Sequence, residues 1–256
     1  MWDILFVRYM VFLMVFIRIS AMILFNPALG RKSIPVAIKM GLSFFTALII
    51  TSTLSDTNVT FTGIPEFIFA SIKELLIGFM VSFIFQMFLS TVLVAGEVID
   101  LQIGVGMSKI YDPQSNVSMP VSGSIFNLIF VLIFFVGNGH LTLIKIISLS
   151  FQILPPGPAI VNFEFGHFIA QLFANILILA IKLSLPIIAI EMISEIGMGV
   201  LMRSVPQINV FVVGLQLKLL IGIIIIILTL NNVTSILDSI ITTMFSNIEQ
   251  SLRMIS

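Results

Sequence analysis

Apolar residues gather in six long stretches, over residues 4–29, 36–54, 66–95, 121–139, 165–190 and 207–230. Each is long enough to form a helix across a hydrocarbon core of about 30 Å, so the pattern predicts an all-α membrane protein with six nominal crossings. The breaks between them carry turn chemistry: Asn26-Pro27 with Gly30 and Pro35, Ser55 to Gly63 with Pro65, Gly104 to Pro120, Leu154-Pro155-Pro156-Gly157-Pro158, and Gly197 to Pro206. Two further segments, His140 to Phe151 and Asn232 to Met254, predict amphipathic helices. No linker interrupts the order, and residues 1–256 read as one helical unit.

Composition agrees with lipid or apolar protein as the surroundings. Hydrophobic residues make up 59% of the chain and charged ones 9%, against about 25% charged in soluble proteins. Twelve basic and twelve acidic residues give a net charge of zero with no run of like sign, which excludes the basic patch a nucleic-acid partner requires. The absence of cysteine excludes disulfides, thiolate catalysis and Cys-ligated metals. His140 and His167 lie outside any H-E-x-x-H pattern, so no metal site is expected. Gly104-Val105-Gly106 is not a dinucleotide loop, because Lys109 stands where the third glycine would be. Without a Walker or G-x-S-x-G motif either, the chain reads as non-enzymatic and free of cofactors.

The positions of the charges change the six-span picture. Arg8, Arg18, Lys73, Glu74, Lys182 and Lys218 lie inside apolar runs, where a charge at the bilayer centre costs at least ~2.5–3.5 kcal/mol. Gln86, Gln171, Asn175 and Pro186 add polar or freed backbone groups that lipid cannot satisfy. Many helices should therefore face protein. A chain this short cannot enclose all of them, which points to burial against partner subunits.

Two carboxylate pairs stand at helical spacing, Glu97 with Asp100 and Glu191 with Glu195. Two readings stay open for them. They could form a proton or cation path in a transporter of small solutes, or they could pair with Lys or Arg on neighbouring segments or cap and line a polar loop. Ile103, Gly104, Gly106, Pro113 and Gln114 recur 93 residues later as Ile196, Gly197, Gly199, Pro206 and Gln207, which suggests two hairpins of related design. The stretch from Gly104 to Gly123 cannot be a regular helix. At membrane depth such backbone must be buried in protein or line a cavity, so it is the candidate gate of a pore, with Met107 and Met119 at its flanks.

At this stretch a resemblance emerges. Ala95-Gly96-Glu97-Val98-Ile99-Asp100-Leu101-Gln102-Ile103-Gly104, followed by Asp112-Pro113-Gln114-Ser115, resembles the FliR family of flagellar type III export-gate proteins. Further similarities stand in family order: Arg18-Ile19-Ser20-Ala21, Lys73-Glu74 with Gly78, Asn138-Gly139-His140, Ser150-Phe151 with Leu154-Pro155, and Arg203 with Pro206-Gln207-Ile208-Asn209-Val210-Phe211.

The resemblance implies a subunit of a protein-conducting channel in the inner membrane at the flagellar basal body. FliP and FliQ would be its fellow subunits, FlhB a further contact, and unfolded flagellar proteins the cargo. It also implies stacked helical hairpins raised out of the bilayer plane, with residues 1–120 FliP-like and 121–256 FliQ-like. Gly104, Val105, Gly106, Met107, Ser108, Ile110, Tyr111, Asp112, Pro113 and Met119 would then form the plug that seals the resting channel. Family members often carry aromatic residues where Met107 and Ile110 stand, so the seal here would be aliphatic and thioether. Glu97, Asp100, Lys109, Glu191, Glu195 and Arg203 would act as structural charge pairs. Arg18, Lys73, Glu74, Pro206, Gln207, Asn209 and Phe211 would pack against other subunits. A solute transporter and the equivalent subunit of a virulence injectisome are the alternatives.

Overall fold

A computed structural model describes residues 2–31, 33–54, 63–106, 119–157, 165–204 and 210–255. These form α1 (Trp2–Leu24), α2 (Val36–Thr53), α3 (Ile64–Ile103), α4 (Val121–Val136), α5 (Gly139–Ile153), α6 (Phe165–Ser204), α7 (Val210–Leu228) and α8 (Leu230–Ile255). There is no strand among the described residues. By length and composition four helices can cross a membrane, and six spans result if α4 with α5, and α7 with α8, each count as one.

Local chemistry explains most of the boundaries. After α1, the Asn26 Oδ1 accepts from the N–H groups of Ala28 (2.9 Å) and Leu29 (3.1 Å), an Asx turn that Pro27 favours. Pro35 and Pro120 precede α2 and α4 with φ of −55° and −63°, extended conformations that enter a helix without strain. Asn138 takes the left-handed conformation (φ 56°) between α4 and α5, which asparagine tolerates better than most residues. A 62° bend separates α7 from α8.

α6 departs from expectation. A break was expected from Gly197 onward, yet the helix continues to Ser204 through both Gly197 and Gly199. A glycine inside a helix costs only about 1 kcal/mol, which the rest of a 40-residue helix outweighs. The same helix absorbs Pro186. The first copy of the repeated glycines behaves otherwise, for Gly104 sits at φ 91° immediately after α3 ends.

α3 and α6 each contain 40 residues, about 60 Å of helix, twice the thickness of a hydrocarbon core. In the most apolar stretches of the spans, 67% of α3 is buried but only 22% of α2 and 33% of α6. The apolar stretch of α3 is thus the most buried of these three, while α2 and α6 carry exposed apolar residues, Phe45 and Ile49 on one and Ile181, Ile193 and Ile196 on the other.

The helices sort into two compact units. The first comprises Met1–Met87, Asn138–Gln171 and Thr242–Ser256. Its core includes Met14, Ile19 and Met22 of α1, Ile77, Ile84 and Phe85 of α3, Ile147 and Phe151 of α5, and Ile248 and Leu252 of α8. α1 and α3 approach closely at Gly78, where any side chain would overlap the Arg18 carbonyl and the Ala21 methyl. Beside it the Ser82 hydroxyl donates to the Met22 carbonyl at 2.8 Å. Small residues with interhelical hydrogen bonds are the glue available where lipid is as apolar as the helices themselves.

The second unit comprises Phe88–Gly137 and Leu172–Ile241. Phe126, Phe130 and Phe134 recur every four residues and form one buried ridge of α4. Val92, Ala95 and Ile99 of α3 and Leu183 and Ile187 of α6 are buried in the same unit. α8, which contributes to both units, keeps the expected amphipathic pattern. Val233, Leu237, Ile240, Met244, Ile248 and Leu252 are buried, while Asp238, Thr242 and Arg253 are exposed.

Candidate functional site

α4 begins with a problem. Its N-cap is Pro120, which has no side chain able to accept from the free N–H groups of the first turn. Asp100, in the last turn of α3, supplies the missing acceptor. Its Oδ2 accepts from the Val121 N–H at 2.5 Å, and its Oδ1 accepts from the Ser122 N–H at 3.1 Å and the Ser122 hydroxyl at 2.5 Å. A carboxylate at a helix N-terminus also meets the positive end of the helix dipole. The backbone carbonyl of the same residue accepts from the N–H groups of Gly104 (3.1 Å) and Gly106 (3.0 Å). Asp100 is 1% exposed, so water does not compete for these bonds.

Asp100 thus binds both ends of the stretch expected to form the gate. Backbone packing reinforces the junction, because Gly96 of α3 lies against Gly123 of α4 with no space for a side chain on either. Neither Ser122 nor the Gly96–Gly123 contact was singled out from the sequence. The signal was there in the form of a helix opening at Pro120 without a cap, and only the fold reveals which distant carboxylate answers it.

Of the expected plug residues, Gly104, Val105, Gly106 and Met119 are described. Gly106 is buried, Gly104 and Val105 are half-buried, and Met119 is 51% exposed. Met107, Ser108, Ile110, Tyr111, Asp112 and Pro113 lie outside the described residues, as does Lys109. Pro206, Gln207 and Asn209 also lie outside them, and Phe211 is described only as part of the α7 backbone.

The remaining charges fall into two groups. In the second unit, Lys218 of α7 forms an ion pair with Glu195, and Glu191 lies one turn earlier on α6. Glu191 is wholly buried and neither of its carboxylate oxygens has a hydrogen-bond partner. Glu97 is half-buried, and Arg203 is exposed in the last turn of α6, where a cation suits the helix dipole. Lys182 is exposed on the outward face of α6.

The other group lies in the first unit. Arg18 and Glu74, expected to pack against other subunits, are both buried there and paired with each other. Arg18 Nε donates to Glu74 Oε2 at 2.5 Å, Nη1 to the Ser150 carbonyl at 2.9 Å and Nη2 to the Leu154 carbonyl at 2.9 Å. Its guanidinium lies 4.2 Å from the centre of the Phe151 ring. Lys73 donates to the Gly157 carbonyl and stands 3.8 Å from Glu74 Oε1. The reason is geometric: a guanidinium fork can answer three acceptors at once, and α3 and the C-terminal end of α5 present them around α1.

Residues 9–244 match the family model described as bacterial export proteins, family 1. That is most of the chain. The chain belongs to this family. Curated relatives carry the name flagellar biosynthetic protein FliR. The protein of Bacillus subtilis (strain 168) is 34% identical over 223 residues, 86% of each chain. The protein of Escherichia coli (strain K12) is 31% identical over 211 residues, 81% of this chain and 79% of the relative. The protein of Aquifex aeolicus (strain VF5) is 30% identical over 226 residues, 87% and 86% of the two chains. This member of the family is a flagellar export component, a structural part of the export apparatus. With its apolar helices it is a multi-pass protein of the inner membrane at the flagellar basal body.

Its membership also bears on Glu191. A relay would need that carboxylate to titrate, whereas a packing role would not. Glu191→Gln is expected to leave export and assembly at wild-type levels, since neither oxygen accepts a bond that the amide would lose. Motility in soft agar checks this, and loss of swimming with a normally assembled complex would favour the relay.

Proposed function

We propose that this chain is a pore-completing subunit of the flagellar protein-export channel, that it assembles with FliP, FliQ and FlhB, and that the segment from Gly104 to Met119 plugs the resting pore. One observation carries the reading: Asp100 anchors both ends of that segment, with Gly104 and Gly106 on one side and Val121 and Ser122 on the other.

The outward apolar faces of α2 and α6 support assembly. Helices about 60 Å long reach well beyond a hydrocarbon core, so part of their apolar surface needs neighbouring protein as cover. That requirement fits stacked hairpins in a hetero-oligomer raised out of the bilayer, with FliP-like and FliQ-like halves before and after residue 120. The mechanism is steric. Apolar side chains exclude water while no cargo is present, and an entering unfolded chain displaces the segment.

Deleting residues 106–119 in the intact export complex is expected to leave assembly unchanged and raise ion leak across the membrane. Single-channel conductance, or growth under conditions where leak is toxic, measures it. A deletion complex that assembles and conducts no more than wild type would remove the plug from the account.

A further inference from the structure

We infer that Lys182 marks a docking face of α6 whose occupant is a helix of a neighbouring export subunit that carries a carboxylate. The inference rests on the assembly reading above and deepens it by naming the face and the chemistry of what covers it.

The charges inside the apolar runs sort by where their answer lies. Arg18 and Lys73 answer Glu74, and Lys218 pairs with Glu195. Arg8 stands at the edge of the candidate span Val7–Leu24, where a long side chain can reach polar surroundings. Lys182 lies deep inside the span Gly166–Leu201, is exposed, and has no hydrogen-bond or ion-pair partner among the described residues. What answers it comes from outside the chain.

Its neighbours on α6 are those of a helix contact. Ala174, Ile178, Lys182, Leu185 and Ala189 follow at steps of three or four residues and form one exposed stripe, with Asn175 at its border. Ile176, Ala180, Leu183 and Ile187 hold the opposite side of the helix buried in the second unit. The two alanines let another backbone approach closely, and Asn175 offers a donor and an acceptor two turns from the lysine.

Lipid does not account for this face. The exposed apolar residues of α6 run from Phe173 to Leu201, about 42 Å of helix against a hydrocarbon core of about 30 Å. With Lys182 at headgroup level, the apolar residues on one side of it would stand in water. With the whole run centred in the bilayer, the ammonium would lie in hydrocarbon. A carboxylate on an apolar helix removes both costs, because it answers the ammonium while its neighbours cover Ile178 and Leu185. A carbonyl or hydroxyl alone would leave the charge uncompensated.

The test uses the intact export complex. A photoreactive phenylalanine analogue in place of Ile178, one turn from Lys182, is expected to link to a fellow subunit, and mass spectrometry of the adduct to find an Asp or Glu within one turn of the linked residue. Lys182→Glu is expected to lower the yield of assembled complex severalfold, and Lys182→Arg to keep it. Reversing the partner's carboxylate to lysine should restore assembly of Lys182→Glu. The chain extracted alone should melt like wild type in both variants, since Lys182 makes no bond within it.

If the wild-type chain is not recovered with fellow subunits, the assembly reading falls first. If it is recovered, and the probe links phospholipid alone or a segment without a carboxylate, the inference is wrong and assembly stands. Should Lys182→Glu fail to fold, the adduct formed with Lys182 in place decides by the same criterion.

Discussion

Arg18→Met is expected to deplete folded protein from detergent extracts, whereas combining it with Glu74→Gln restores a large part. The single change leaves Glu74, 0% exposed, with its nearest guanidinium gone and only Lys73 at 3.8 Å. Breaking a buried pair in this way costs about 3–5 kcal/mol, a large share of the roughly 5–15 kcal/mol that keeps a domain folded. Removing the charge from Glu74 as well takes away the greater part of that penalty, because an amide without a partner is far cheaper to bury than a carboxylate. Restoration is incomplete, because the Ser150 and Leu154 carbonyls at the end of α5 still lose their donors. Thermal unfolding of the two single variants and the double variant should give a coupling energy within about 0.5–3 kcal/mol. Additive losses would mean that the two residues act separately and that the bonds to α5 carry the whole effect.

The second large effect is expected from a single methyl group. Gly96→Ala would put a Cβ into the Cα and N atoms of Gly123, which belong to backbone and cannot rotate aside. Overpacking of this kind typically costs about 1–3 kcal/mol and more where neither side can yield. The two helices would separate, and the bonds from Val121 and Ser122 to Asp100 would lengthen with them. Gly197→Ala supplies the comparison, since a Cβ there meets nothing within 4 Å. The melting temperature should fall sharply for the first variant and stay near wild type for the second. Equal tolerance of both would show that α3 and α4 have room to separate.

How much of this was visible beforehand differs from element to element. The amphipathic α8 was legible because its period of apolar residues reports directly on one buried face. The end of α3 and the restart at α4 were legible too, since Gly104 and Pro120 are strong local punctuation. Gly197 and Gly199 misled, because glycine permits a turn without requiring one and α6 had no competing demand. Arg18 and Glu74 were legible only in part. A charge in an apolar run announces that a partner exists, and nothing local says whether the partner belongs to the same chain.

Asp100 is the clearest case of partial sight. The pattern marks it as a carboxylate near a bend on a helix face with Glu97, where a proton path, pairing with a cation and capping of a polar loop are all open. Its partners turned out to be the N–H groups and hydroxyl of α4's first turn.

By itself, then, the order of residues determined an all-α membrane chain, the positions of most helix ends, the amphipathic face of α8 and the resemblance to an export-gate family. Those properties follow from hydrophobic period, punctuation and local wording, which act over a few residues at a time. Only the tertiary structure decided that Arg18 meets Glu74 and Ser150 across 56 and 132 residues of chain, and that Asp100 caps the first turn of α4. Where lipid surrounds the helices, apolar burial hardly distinguishes one neighbour from another, so the choice falls to buried hydrogen bonds and glycine contacts, and these exist only once the helices are side by side.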